Sequence, residues 1–255
     1  MPDQNFDDLS NHFESHIYDS LKGQLRLLLL DEDLQQNGVL AQPELQVLDA
    51  GGGIGQFSAR LAAQGHQITL CDLSAKMLDK ARAYYANHAP DAAVRFIHSP
   101  LQELQEQALP AADLLLFHAV MEWLEDPQAA LDTLLPLVKP GGWLSIMFYN
   151  KHALRWRYLT SAQFEEGMKE KFRRRPESLT PTNPQEPEAV HQWLLDRGLE
   201  VHAWTGIRCL YDNVFRPLRV KLTLEDVLEA ERRYSRIPPY RDLGRYVHML
   251  CRKPE

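Results

Sequence analysis

The sequence predicts an α/β protein built on a doubly wound, mostly parallel sheet. Three observations carry that prediction. The short apolar run Val47-Leu48-Asp49-Ala50 breaks into a glycine turn, Gly51-Gly52-Gly53-Ile54-Gly55, and a helical pattern follows at once. Apolar strands and helical patterns then alternate four times up to residue 149, which is the signature of a parallel sheet with right-handed crossovers. Residues 113–118, Asp-Leu-Leu-Leu-Phe-His, are almost continuously apolar, as expected of a central strand covered on both faces.

Composition is that of an ordinary globular chain. Of 255 residues, 44% are apolar and 25% charged, so a full core is affordable without disulfides or metals. Cys71, Cys209 and Cys251 are scattered with no metal-binding spacing. They read as packing residues of a reduced, cytoplasmic protein. The start, Met1-Pro2-Asp3-Gln4-Asn5, lacks the basic and apolar regions of a signal peptide. No apolar run approaches a membrane span. A net charge of −7 argues against indiscriminate nucleic-acid binding.

In chain order, residues 5–20 predict a short helix. Leu21, Leu25, Leu28 and Leu29 then mark one face of a second helix. Arg26 lies off that face. It is either a solvated surface residue or, if the helix caps a pocket, a fork for a carboxylate. After the strand at 47–50, the glycine turn suits positive φ and close approach of a ligand to the backbone. Its spacing, Gly51-x-Gly53-x-Gly55, differs from the dinucleotide fingerprint, and with no hydride-transfer set in view an NAD dehydrogenase is disfavoured. The helix at 55–64 ends at Gly65. The strand 67–72 ends in Asp72, 17 residues after Gly55, where a carboxylate accepts ribose hydroxyls. Ser74 caps a helix with Met77, Ala81, Tyr84 and Tyr85 on one face. Further strands are expected at 94–98 and 113–118, a helix at 127–138, and a fifth strand at 143–149. His118 ends its strand where doubly wound sheets bind ligands. A helix at 187–197 ends at Gly198, and strands follow at 200–207 and 246–253.

Charge is unevenly spread. Residues 151–175 hold eight basic and three acidic residues, a local +5 that leaves −12 elsewhere. Trp156, Tyr158, Phe164 and Phe172 interleave with them. Two further basic sets follow: Arg208, Arg216, Arg219 and Lys221, then Arg232, Arg233, Arg236, Arg241 and Arg245. Either these are solvated surface, or they form a cationic rim that neutralises phosphates while aromatics stack on unpaired bases.

The D-x-G-x-G-x-G pattern and the acid ending the second strand resemble the class I S-adenosylmethionine-dependent methyltransferases. A narrower set of peptides is similar to the bacterial tRNA 5-carboxymethoxyuridine methyltransferase family: Asn5-Phe6-Asp7-Asp8, Lys22-Gly23-Gln24-Leu25-Arg26, Leu48 to Gly53, Leu70-Cys71-Asp72-Leu73-Ser74, Leu116 to Val120, Met147-Phe148-Tyr149-Asn150 and Leu243-Gly244-Arg245-Tyr246. The resemblance implies a seven-stranded sheet closed by an antiparallel hairpin, in one domain. A helical cap would occupy 1–40, the cofactor-binding core 45–150, a basic substrate-binding insertion 150–186, and the C-terminal part of the sheet 187–255. It implies S-adenosyl-L-methionine as cofactor, held by Arg26, Gly51, Gly52, Asp72, Leu101, Gln102 and His118, and no metal. Leu101 and Gln102 stand where related enzymes often place an Asp against adenine. It further implies methyl transfer to the carboxylate of 5-carboxymethoxyuridine in the tRNA anticodon region. Residues able to hold that carboxylate are Tyr149, Asn150, Arg155, Arg208 and Arg245. The alternatives are a small-molecule methyltransferase with the same pocket, or a non-catalytic cofactor- or tRNA-binding module.

Overall fold

The structure is a computed structural model and describes residues 20–172, 180–181 and 183–255. The helix expected at 5–20 and the basic residues Arg173, Arg174 and Arg175 lie outside the described residues. Seven strands form one sheet: β1 (Gln46–Ala50), β2 (Gln67–Asp72), β3 (Val94–His98), β4 (Ala112–His118), β5 (Val138–Tyr149), β6 (Glu200–Ile207) and β7 (Tyr246–Arg252). Their spatial order is β3-β2-β1-β4-β5-β7-β6. The first five are parallel, and β7 runs antiparallel to both neighbours. The expected doubly wound, mostly parallel, seven-stranded sheet is the observed one.

Helices cover both faces. On one lie α1 (Leu21–Gln36), α2 (Gln56–Ala63), α3 (Ala75–His88) and, late in the chain, α7 (Leu224–Tyr234). On the other lie α4 (Pro127–Leu134) and α6 (Pro187–Asp196). A further helix, α5 (Lys151–Thr160), extends from the end of β5. Strands β1 and β4 feed both apolar clusters with alternate residues, Val47, Leu114 and Leu116 on one face and Leu48, Leu115 and Phe117 on the other. This is the pattern of a sheet buried twice.

Local chemistry sets the helix starts. Ser74 accepts from the Met77 backbone at 3.1 Å, Asp126 from Gln128 and Ala129, and Thr223 and Asp226 form a capping box on α7. Two expected boundaries are corrected. Helix α4 stops at Leu134, not residue 138, because a tighter turn over Leu135–Leu137 holds Pro136, which has no N–H to donate. Strand β5 begins at Val138, not at residue 143, by pairing with Ala112 across a register shift. Gly141 there has φ +70°.

Candidate active site

The strand order reverses between β1 and β4, and at a switch point the two crossovers diverge and leave a crevice at the strand ends. A cavity opens there. Arg26, Gly51, Gly52, Asp72, Leu101, Gln102 and His118 all line it. Asp72, at the end of β2, is aimed by two backbone donors: Gly53 N–H to one oxygen and Ser74 N–H to the other, each at 2.8 Å. Leu101 and Gln102 open a short 3₁₀ helix, Leu101–Gln107, after β3. Arg26 projects from α1 over the glycine turn, its Nη2 at 3.4 Å from Gln56 Oε1.

The glycine turn that lines the cavity also has a structural role. Gly51, Gly53 and Gly55 have φ between +58° and +72°, so the turn does need glycine. A side chain at Gly51 or Gly52 would strike protein: the added Cβ lies 2.7 Å from Val120 Cγ2 in the first case and 2.6 Å from Asp49 Cγ in the second. Both N–H groups are donated to Cys71 O, at 2.9 and 3.0 Å. These glycines lock β1 to β2 and hold Asp49 and Asp72 in place.

Asp49 lines the same cavity and is buried. It accepts from the Ser58 hydroxyl, which in turn accepts from Tyr85 Oη at 2.8 Å. Burial pushes its carboxyl up to about 7, against the pull of Ser58. His118 closes the cavity from the end of β4, and burial holds its imidazole well below the usual histidine range. It is neutral at physiological pH.

Beside the cavity lies a group of cations. Asp212 receives Arg208 Nη2 at 3.2 Å and Arg245 Nε at 3.1 Å. Arg245 also donates to the Tyr149 hydroxyl at 3.1 Å. Burial lowers the pKa of Lys22, on α1, and the charges of Arg208, Arg219 and Arg245 lower it further, opposed by Asp212. Asp212 is desolvated, yet Arg208, Arg245 and Lys22 hold it ionised. Three cations therefore converge on one carboxylate. Arg208 Nε is buried with no hydrogen-bond partner among the described residues. The Arg208 guanidinium sits 5.4 Å from the centroid of the Tyr246 ring, and Tyr246 lines the cofactor-sized cavity. Tyr246 is thus common to the cavity and the cation group.

Comparison with known proteins places this geometry. A methyltransferase-domain family model matches residues 48–144. The tRNA 5-carboxymethoxyuridine methyltransferase of Escherichia coli K12 is 41% identical over 261 aligned residues, covering 100% of this chain and 98% of that one. The chain belongs to the tRNA 5-carboxymethoxyuridine methyltransferase family. More distantly, malonyl-[acyl-carrier protein] O-methyltransferase of Serratia marcescens is 36% identical over 104 residues, 40% of this chain and 37% of that one. Among solved structures, magnesium protoporphyrin IX methyltransferase from Synechocystis PCC 6803 superposes with a TM-score of 0.65 at 16% identity, covering 97% of this chain and 96% of the other. The N-methyltransferase NodS from Bradyrhizobium japonicum gives 0.62 at 13%, covering 99% and 100%. At such identities these share the fold.

For this member of the tRNA 5-carboxymethoxyuridine methyltransferase family, the expected substrate-holding residues separate into two groups. Tyr149, Arg208 and Arg245 meet in the cation cluster. Asn150 and Arg155 do not. Asn150 is fully buried; its Nδ2 donates to Asp242 O and Gly244 O, both at 2.9 Å, and its Oδ1 caps α5 at His152 N. Arg155 donates to Gly167 O and Lys169 O at 3.2 and 3.3 Å, bracing α5 against the turn that follows. The basic sets divide similarly. Arg232 pairs with Glu32, Arg236 with Asp33 and Arg241 with Asp242, so three of the last five bind the fold together. Of the insertion's aromatics, Tyr158 and Phe172 are buried and stack on each other, while Trp156 and Phe164 are exposed. Lys22 and Asp212 carried no sequence signal of a site. Lys22 reads as an off-face helix residue and Asp212 as a loop acid, and only folding brings them to Arg208.

No group of residues that could hold a metal ion occurs among the described residues. None of the described helices is long and apolar enough to cross a membrane.

Proposed function

We propose that this protein methylates the carboxylate of 5-carboxymethoxyuridine in the anticodon region of tRNA, with S-adenosyl-L-methionine as methyl donor. The observation that carries the reading is the Tyr246 ring shared by the cavity and the cation cluster. It puts a site for an anion against a site for a nucleoside-bearing cofactor.

The residues lining the cavity suit that cofactor. Asp72 offers an anionic acceptor for ribose hydroxyls. Leu101 and Gln102 offer an apolar surface and an amide for the base. Arg26 would hold the amino-acid carboxylate, and neutral His118 would meet the amino-acid end without repelling its cation. Bound there, S-adenosylmethionine supplies a sulfonium methyl that a carboxylate oxygen takes with its own lone pair, the C–S electrons staying on sulfur.

The chain's part is to bind and align. A carboxylate with a pKa near 4 is already ionised at neutral pH, so no general base is required. Arg208, Arg245 and Lys22 outnumber Asp212 in charge, and an incoming carboxylate lessens the imbalance. Tyr149, fixed by Arg245, offers a hydroxyl at the same place. Holding one oxygen of the carboxylate leaves the other free to react, and alignment of that kind supplies several kcal/mol of a barrier. The exposed Trp156, Phe164, Arg216 and Lys221 suit contact with an RNA strand.

The test is methyl transfer from labelled S-adenosylmethionine to tRNA from a strain lacking the modification. Label should enter 5-carboxymethoxyuridine and be released by mild alkali, as an ester is. Label that resists alkali, or that enters tRNA lacking the carboxylate equally well, overturns the reading.

A further inference from the structure

Behind His118 a line of buried polar side chains crosses the sheet. Asp33 on α1, His248 on β7 and Ser145 on β5 are each 1% exposed or less. His248 Nδ1 lies 2.7 Å from Asp33 Oδ2. His248 Nε2 lies 2.9 Å from Ser145 Oγ. Ser145 Oγ lies 2.8 Å from His118 Nε2. At the far end Arg236 grips the other oxygen of Asp33 through two nitrogens, at 3.0 and 2.6 Å.

Proton counting orders this line. Asp33 is desolvated, but the hydrogen bond from His248 and the charge of Arg236 hold the carboxyl below its usual range. It is ionised and can only accept. His248 Nδ1 must therefore carry a hydrogen. Asp33 is matched by Arg236, and the neighbouring Glu32 by Arg232, so a further buried cation at His248 would lack a counter-ion of its own. With a single N–H at Nδ1, His248 accepts at Nε2 from the Ser145 hydroxyl. That hydroxyl has one hydrogen to give, so its lone pair accepts from His118 Nε2–H. Neutral His118 then has an unprotonated Nδ1.

We propose that Asp33, His248 and Ser145 are positioning residues that fix His118 in its Nε2–H tautomer, so that Nδ1 accepts a hydrogen bond from the ammonium group of the cofactor's amino-acid end. The inference rests on the cofactor assignment above and deepens it. It also explains why polar groups are buried where apolar ones would pack. A hydrogen bond that fixes one imidazole nitrogen decides what the other can do. In the opposite tautomer, His118 would point a donor at a cation. The line also ties α1 to the pocket, because Asp33 and Arg26 stand on that same helix.

Two measurements test it. Nitrogen-15 NMR of the histidine side chains in the cofactor-free protein should show His118 protonated at Nε2 and His248 at Nδ1. Finding His118 protonated at Nδ1 overturns the proposal, and this reading needs neither a variant nor a ligand. Ser145→Ala then removes the link. It should give a tautomer mixture at His118 and weaken S-adenosylhomocysteine binding about tenfold, the scale of one charge-assisted hydrogen bond, with KM for tRNA at saturating cofactor unchanged. An unchanged His118 spectrum and unchanged affinity in that variant also overturn it. Failure of the wild-type protein to bind S-adenosylhomocysteine at all would instead sink the cofactor assignment, which the ligand-free spectrum does not depend on.

Discussion

Replacing Arg208 by Met should cripple methyl transfer without weakening cofactor binding. The guanidinium lies over Tyr246, contacts Asp212 at 3.2 Å and has a buried Nε with no partner among the described residues. Met keeps an apolar stem against the ring and removes the charge. Two effects then add. The substrate carboxylate loses a charge-assisted hydrogen bond, of about 1.5–3 kcal/mol. Asp212, which drew on two arginines, draws more heavily on Arg245 and leaves it less available. The first effect alone predicts a fall in kcat/KM for tRNA of roughly 10- to 150-fold. Because Arg208 does not line the cavity, affinity for S-adenosylhomocysteine should hold. The assay is labelled methyl transfer at saturating cofactor with tRNA varied, beside calorimetry with S-adenosylhomocysteine. Arg208→Lys keeps the charge but not the planar fork and should fall between the two. A kcat/KM within about twofold of wild type, or parallel loss of cofactor affinity, would refute the assignment of this cluster to the substrate.

Four other outcomes follow. Asp72→Ala should weaken S-adenosylhomocysteine binding by about tenfold or more, measured by calorimetry, because it removes the ribose acceptor and the anchor of Gly53 and Ser74 together. Lys22 is held below the usual lysine pKa by burial and its arginine neighbours; tRNA affinity should therefore decline as pH rises toward the alkaline side, and that decline should vanish in Lys22→Met while the rate at saturation stays flat from about pH 6 to 8. Asp49 has its folded pKa raised from 3.8 to about 7, so the folded state keeps a proton that the unfolded chain sheds. Stability should fall as pH rises through that window, by up to about 4 kcal/mol, and denaturant unfolding of Asp49→Asn should lack that part of the slope. Gly51→Ala forces a Cβ into Val120 at φ +72°; the left-handed conformation alone costs roughly 1–2 kcal/mol, seen as a lower unfolding temperature.

Much of this architecture was legible because its signals are local. The cap at Ser74, the strand at Gln67–Asp72 and the helix stops at Gly65 and Gly198 each depend on residues within a few positions of one another. The seven expected cofactor residues converge for a related reason. Each sits at or just past a strand end, apart from Arg26, and the topology alone gathers strand ends at the switch point. What stayed hidden depends on distance along the chain. Asp33 and His248 are 215 residues apart, and nothing near either announces the other. Basic residues were legible as charge but not as partners: Arg236 braces Asp33 and Arg155 braces a turn, whereas Arg208 and Arg245 crowd around one acid. The early start of β5 was missed because Gly141 and Gly142 read as a turn, although a register shift carries the strand through them.

The account's central claim is that the cation cluster recognises the charge that methylation removes. The most direct measurement is the affinity of an anticodon stem-loop carrying 5-carboxymethoxyuridine against one carrying its methyl ester, each titrated into the protein saturated with S-adenosylhomocysteine. The acid should bind about tenfold tighter or better, the worth of one charge-assisted contact. Equal affinity for acid and ester would contradict the claim.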